Sequence, residues 1–257
     1  MSIRVERDAA VAVVTVDRPE ALNALNQEVL SELHDRLAEL AEDAGVHVVV
    51  LTGAGDRAFM AGADIKEMAV MGVEEARVWG QLGHDVGRLL ETMPKPTIAA
   101  INGFALGGGC ELALACDIRY ASSNAKLGQP EVSIGIIPGW GGTQRLARAT
   151  TLGFAKELVY TGRMVAAEEA RERGLVNAVF APEELMGKAL ELARSLAAKS
   201  PLVLAAAKEM TNRTLQGELD TGLSDEAAAF AELFGSEDQK EGMAAFVEKR
   251  EPRFTGR

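Results

Sequence analysis

Two glutamates stand out in this chain because nothing around them is charged. Glu111 lies in G-F-A-L-G-G-G-C-E-L-A-L-A-C, the only charged residue between Gly103 and Cys116. Glu131 lies in G-Q-P-E-V-S-I-G, just after a proline that can start a helix, and a run of Ile, Pro and Gly follows. A carboxylate in apolar surroundings is costly unless it has a partner or a task, and burial lifts its pKa toward the range useful for proton exchange. Read singly, each is an acid in a first helical turn, where it complements the helix dipole. Read together, at two helix starts beside glycine loops, they form a candidate general acid and base pair.

The glycines beside them offer a second kind of chemistry. Gly107-Gly108-Gly109 lets the backbone turn through conformations closed to other residues and lets a ligand approach the main chain. The N–H groups of a first helical turn have no partner inside the helix, so an anion, or an oxygen that becomes one, fits against Gly108. In F-M-A-G-A-D-I-K-E-M a loop ends in a short helix at Asp64, and the N–H of Ala63 points outward there.

Three other signals lead nowhere. Gly53-Ala54-Gly55-Asp56-Arg57-Ala58 imitates a dinucleotide-binding loop after a strand, but Gly62 interrupts before a helix can open on it. E-V-S-I-G misses a nucleophile elbow, because Glu131 stands where its first glycine should be. His34, His47 and His84 sit in helix or strand contexts read as far from these loops, so neither a serine triad nor a histidine metal site is expected.

The elements that must position these residues follow from patterning. Residues 2–7 and 10–17 read as a hairpin, and Leu30, Leu33, Leu37 and Leu40 form the apolar stripe of a helix that begins near Asn26. Val46 to Leu51 and Thr97 to Ile101 are continuous apolar strands, the second running into the three glycines. Residues 73–91 form a helix stopped by Pro94 and Pro96. Short strands at 117–121 and 125–127 continue a mixed α/β core. Beyond Gln144 the chain is mostly helical. Lys199-Ser200-Pro201 is the best boundary, and after it Leu219, Leu223, Ala227, Phe230 and Phe234 share one apolar face that needs a cover.

With 257 residues and a formal net charge of -11, the chain has ample length for a core and argues against nucleic-acid binding. Cys110 and Cys116 lack C-x-x-C spacing and read as buried thiols in a reducing compartment. The first residues carry charge and no apolar core of a signal peptide, and no run reaches the ~20 apolar residues of a membrane helix, so a cytoplasmic protein without membrane contact is expected.

Three segments together resemble the crotonase family: A-F-M-A-G-A-D-I-K-E-M (58–68), G-F-A-L-G-G-G-C-E-L-A (103–113) and G-Q-P-E-V-S-I-G-I-I-P-G-W-G-G-T-Q-R-L (128–146). They are most similar to enoyl-CoA hydratases, and the tail F-G-S-E-D-Q-K-E-G-M-A-A-F-V-E-K-R is similar to short-chain 3-hydroxybutyryl-CoA dehydratases. The resemblance covers essentially the whole chain in one register. It implies an α/β fold: a crotonase-like ββα spiral core with the active site over residues 1–199, and a C-terminal helical oligomerisation region over residues 200–257.

The resemblance also implies an activity, the reversible syn hydration of a short-chain 2-enoyl-CoA to the 3-hydroxyacyl-CoA. Glu131 would be the acid at C2 and Glu111 the base for water. The N–H groups of Ala63 and Gly108 would form the oxyanion hole, and Gly139 would place a backbone group near the catalytic water. Coenzyme A contacts are implied for Ala21, Leu22, Ala61, Asp64, Ile65 and Lys66, and for Phe246 and Lys249 reaching the coenzyme of a neighbouring subunit. From the residues alone, Lys66 reads equally as a solvated surface lysine, Phe246 as a packing residue and Lys249 as a helix-end cation. No metal and no cofactor are expected beyond the coenzyme A of the acyl-CoA thioester substrate, and the assembly implied is a homotrimer or a pair of trimers.

Trp140 stands where many relatives carry a smaller residue; it either shortens the acyl pocket or packs outside it. Other crotonase reactions, namely isomerisation, decarboxylation, dehalogenation and thioester hydrolysis, usually alter one or both acid positions, so keeping both favours hydration. A non-catalytic acyl-CoA binder would leave two isolated acids unexplained.

Overall fold

The computed structural model describes residues 2–215 and 217–257. The chain enters through the antiparallel pair β1 (Ile3–Asp8) and β2 (Val11–Val16), then α1 (Gln27–Glu42), whose N-cap Asn26 accepts from the N–H of Val29. A repeating pattern follows, in which two strands are succeeded by helix. β3 (Val48–Gly53) and β4 (Ala58–Met60) lead to α2 (Ile65–Met68) and α3 (Val73–Thr92). β5 (Thr97–Ile101) and β6 (Phe104–Leu106) lead to α4 (Gly108–Ala115), and β7 (Ile118–Ser122) and β8 (Lys126–Gly128) lead through a 3-10 turn, Glu131–Ile134, to α5 (Gly142–Ala149) and α6 (Leu152–Thr161). The core closes with β9 (Met164–Ala166), α7 (Ala167–Glu172), β10 (Ala178–Phe180) and α8 (Pro182–Ala197).

Each repeat gives its first strand to one sheet and its second to another. The large sheet runs β1-β2-β3-β5-β7-β10, parallel after the first pair, and the small one runs β4-β6-β8-β9, with only β8 and β9 antiparallel. This is the ββα spiral. Helices cover both faces of the large sheet, which is why β3 and β5 are buried at every position and read as nearly continuous apolar runs rather than alternating. Val48, Val50, Ile98 and Ala100 face α8, while Val49, Leu51, Ala99 and Ile101 face the main core with α1, α3 and α4.

Strand β6 corrects the expectation that Thr97–Ile101 runs straight into the glycines. At Gly103 the chain crosses from the large sheet to the small one, so close to Arg57 that a Cβ there would overlap the Arg57 carbonyl. Three residues of strand then deliver Gly107 to the rim of the small sheet.

Beyond Ala198 three helices follow: α9 (Pro201–Arg213), capped by Ser200, α10 (Leu219–Leu233) and α11 (Glu237–Glu248), capped by Ser236. Lys208 ties α9 to the core by donating to the carbonyls of Leu90 (2.8 Å) and Lys95 (2.9 Å) and pairing with Asp117 at 2.8 Å. Buried Asp238 closes the tail, accepting from the Ser200 hydroxyl and from the N–H groups of Thr255 and Gly256. Leu219, Leu223, Phe230, Phe234 and Phe246 remain exposed.

Candidate active site

Gly107 has φ 50 and ψ −124, a backbone turn that favours glycine, and α4 starts immediately after it. Glu111 therefore lies in the first turn of α4, only 2% exposed. Its Oε1 accepts two backbone N–H groups, from Trp140 at 2.8 Å and Gly142 at 2.6 Å. Gly142 opens α5, whose N-cap Gly141 has no side chain, so Glu111 caps a helix 31 residues away in sequence. Burial pushes the Glu111 carboxyl above the usual range, against the pull of those two N–H groups and of Arg145. Its Oε2 has no protein partner among the described residues.

Glu131 opens the 3-10 turn after β8 and is also buried. Burial lifts its pKa to about 7, and the negative charge of Glu111 adds to the rise. Gln129, fully buried, holds Glu131. With its amide oriented so that both ends meet complementary partners, it donates to Glu131 Oε1 at 3.0 Å and Oε2 at 3.2 Å. A Cβ at Gly142 would lie 2.7 Å from this amide and 2.9 Å from Glu111 Oε1, so a side chain at Gly142 has no room beside either group. A Cβ at Gly107 would lie 2.9 Å from Glu131 Oε1.

The two expected N–H donors lie on adjoining loops. Leu25 and Ala63 form a parallel bridge through the Leu25 N–H to Gly62 and the Asp64 N–H to Leu25, both 2.9 Å. The N–H of Ala63 itself points away from that bridge and, among the described residues, has no acceptor. Nor does the N–H of Gly108, first in α4. Gly62 Cα comes within 4.0 Å of where a Cβ of Gly107 would sit, so the two loops touch. The Gly139 N–H is likewise without an acceptor among the described residues.

The same bridge gathers the predicted coenzyme residues of the first half. Ala61 donates to the Leu22 carbonyl at 3.1 Å, which sets Ala21 and Leu22 beside Ala61, Asp64, Ile65 and Lys66. Asp64 caps α2 by accepting from the Lys66 N–H and lies 3.7 Å from Arg18, while the side chains of Ile65 and Lys66 are exposed. Phe246 is 85% exposed and Lys249 ends α11 in a left-handed conformation. Neither is joined to the glutamate cluster by a hydrogen bond or ion pair among the described residues.

Trp140 packs inside. Its ring fills the gap between Gly83 of α3 and Gly108 of α4, so close that a Cβ on either glycine would overlap it. It meets Trp79 edge to face, with centroids 5.4 Å apart at 87°. His84 requires a correction. On α3 it lines, with Gly141, Gln144 and Arg145, a cleft of about 1070 Å³ behind the second glycine loop, because α3 packs directly on that loop. The sequence reading also missed Gln129, the Trp140 and Gly142 donors, and the Arg145–Glu91 pair. A lone glutamine at a strand end has no spacing signature, and the other partners are 29 to 54 residues apart.

Among the described residues no group of three or more His, Cys, Asp or Glu side chains is placed to hold a metal ion, and no helix is long and apolar enough to cross a membrane. Cys110 and Cys116 are buried and free, and burial pushes both thiols up to about 12.

Comparison with known proteins supplies the family. Residues 6–257 match the model of the enoyl-CoA hydratase/isomerase family. A short-chain-enoyl-CoA hydratase of Clostridium acetobutylicum is 51% identical over 249 residues, covering 97% of this chain and 95% of that protein. A crotonyl-CoA hydratase of Syntrophomonas wolfei is 48% identical, covering 98% and 97%. The crystal structure of an enoyl-CoA hydratase from Bacillus anthracis superposes with a TM-score of 0.97 at 43% identity over all of both chains. Fold, motifs and relatives thus agree, and the chain belongs to the enoyl-CoA hydratase/isomerase family, the crotonases.

Proposed function

We propose that the protein catalyses the reversible syn hydration of short-chain 2-enoyl-CoA to 3-hydroxyacyl-CoA. The observation that carries this reading is the pair of buried carboxylates, Glu111 and Glu131, set beside two loops with unpartnered N–H groups. Their environments differ, which is what an acid and a base need. Glu111, anchored through Oε1, keeps Oε2 for a water that also meets the Gly139 N–H. As the water oxygen bonds to C3, Glu111 takes its proton. The C2=C3 electrons move toward C1, negative charge builds on the thioester oxygen, and Glu131 gives its proton to C2. One proton moves from the water to Glu111 and one from Glu131 to carbon, so the pair resets by passing a proton back. The Ala63 and Gly108 donors hold the growing charge, each worth about 3 kcal/mol in the transition state.

This chemistry needs no metal or redox group, and coenzyme A enters only as part of the substrate. Ala21, Leu22, Ala61, Asp64, Ile65 and Lys66 form the coenzyme-binding rim. Trp140, wedged beside the Gly108 donor, closes the space beyond the first carbons of the acyl chain, which favours crotonyl-sized groups. The names of the two most similar relatives described above support a short substrate. Residues 1–199 form the catalytic core. Residues 200–257 form the region that pairs subunits into a trimer or two trimers, covering the exposed side chains of α10 and α11 and bringing Phe246 and Lys249 to a neighbour's coenzyme.

The test is the ultraviolet absorbance of the conjugated enoyl thioester in crotonyl-CoA, followed with wild type, Glu111→Gln and Glu131→Gln. Rapid loss with wild type and a rate at least about 10³-fold lower in each variant is expected. Undiminished hydration by both variants would sink the mechanism, and no loss with wild type would sink the activity.

A further inference from the structure

Glu111 depends on a loop that has few supports of its own. The two N–H groups it accepts belong to Trp140 and Gly142, either side of Gly141, whose φ of +107 places it in the left-handed region. Arg145, one turn into α5, reaches back over this loop. Its Nη1 donates to the Trp140 carbonyl at 2.9 Å, and its Nε and Nη2 form a two-point pair with Glu91 of α3, at 3.1 and 2.9 Å. The guanidinium lies so close to Gly141 that a Cβ there would overlap it, and Gly87 of α3 gives it room on the other side. Its side chain is 15% exposed. Trp140 is therefore gripped at three points: its N–H by Glu111, its carbonyl by Arg145 and its ring by two glycines.

We propose that Arg145, anchored by Glu91, is a positioning residue for Glu111: by fixing the Trp140 carbonyl it fixes the two N–H donors that aim the carboxylate at water. A planar forked group suits this task. It bonds the carbonyl and both carboxylate oxygens at once in one fixed plane, whereas a lysine's three donors radiate from a single atom on a flexible stem. Arg145 touches neither acid; it reaches Glu111 through the Trp140 loop and through the pull of its charge on the carboxyl, and the charge-keeping Arg145→Lys separates the two. The proposal rests on the reading of Glu111 as the base.

The experiment is a double-mutant cycle on crotonyl-CoA hydration, with Arg145→Met, Glu111→Gln and the double variant, assayed at enzyme concentrations that resolve the residual rate of Glu111→Gln. Arg145→Met is expected to lower kcat by about 10- to 100-fold, the scale of a misaimed catalytic group, with KM within about twofold. Arg145→Lys is expected to recover part of that loss. On the Glu111→Gln background the same change is expected to cost nothing further. An equal loss on both backgrounds, or a loss confined to KM, would overturn the proposal. If Arg145→Met does not fold, Glu91→Gln takes its place in the cycle with the same expected pattern. Full activity of Glu111→Gln itself, or an inactive wild type, would remove the underlying reading instead, and the single variants alone would reveal that.

Discussion

At the scale of single residues, the site is a problem of proton placement. The reaction adds or removes neutral water, so its equilibrium is independent of pH, and hydration and dehydration must share one pH profile in kcat/KM. In the proposed mechanism the active form holds one proton across Glu111 and Glu131, and rates fall when the pair gains or loses one. With Glu131 lifted to about 7 by burial, the alkaline limb is expected near pH 7 in both directions. Gln129 donates to the ionised form of Glu131, so Gln129→Met is expected to raise that pKa further and move the limb to higher pH. A limb that ignores Gln129 would count against the pairing.

The same shift has a stability sign. The folded state binds the Glu131 proton more tightly than the unfolded chain, whose carboxyl titrates near 4.5. This contribution is full below about 4.5 and is lost as pH rises through about 7. Glu131→Gln lacks that cost, so it is expected to be more stable than wild type at pH 8 by on the order of 3 kcal/mol and to gain little at pH 4, measurable by denaturant unfolding at the two pH values.

At the scale of elements, the governing fact is the space between α3 and α4, where the Trp140 ring lies against Gly83 and Gly108. Gly83→Ala adds one methyl to α3, outside the reacting groups, yet has to displace the ring toward the Gly108 donor. It is expected to destabilise by about 1–3 kcal/mol despite the better helix propensity of alanine, and to lower kcat as well. Thermal unfolding and crotonyl-CoA turnover measure both effects; an unchanged kcat would detach Trp140 from the donor. Much of this level was legible in the sequence. The α1 stripe, its Asn26 cap and the isolated Glu111 and Glu131 all carry local signals. Of the small sheet only β8 was read, as a strand at 125–127; β4, β6 and β9 were not legible, being three residues each and too short to show a period. Nor were the links that aim Glu111, since Arg145 and Glu91 pair across 54 residues and look on paper like ordinary surface charges.

At the scale of the whole molecule, one chain leaves Phe246 and a band of α10 side chains exposed. In the proposed assembly Lys249 meets the coenzyme held by a neighbour. Lys249→Ala is therefore expected to raise KM for the thioester several-fold with kcat unchanged, and a KM equal to wild type would separate the C-terminal region from substrate binding. The chain contains only two tryptophans, and they are the edge-to-face pair of Trp79 and Trp140. Every photon of indole emission from this protein thus originates at this pair, one ring of which lies against Gly108, the proposed oxyanion donor. Thioester arrival there becomes visible as a change in intrinsic fluorescence, with no dye attached and no residue replaced.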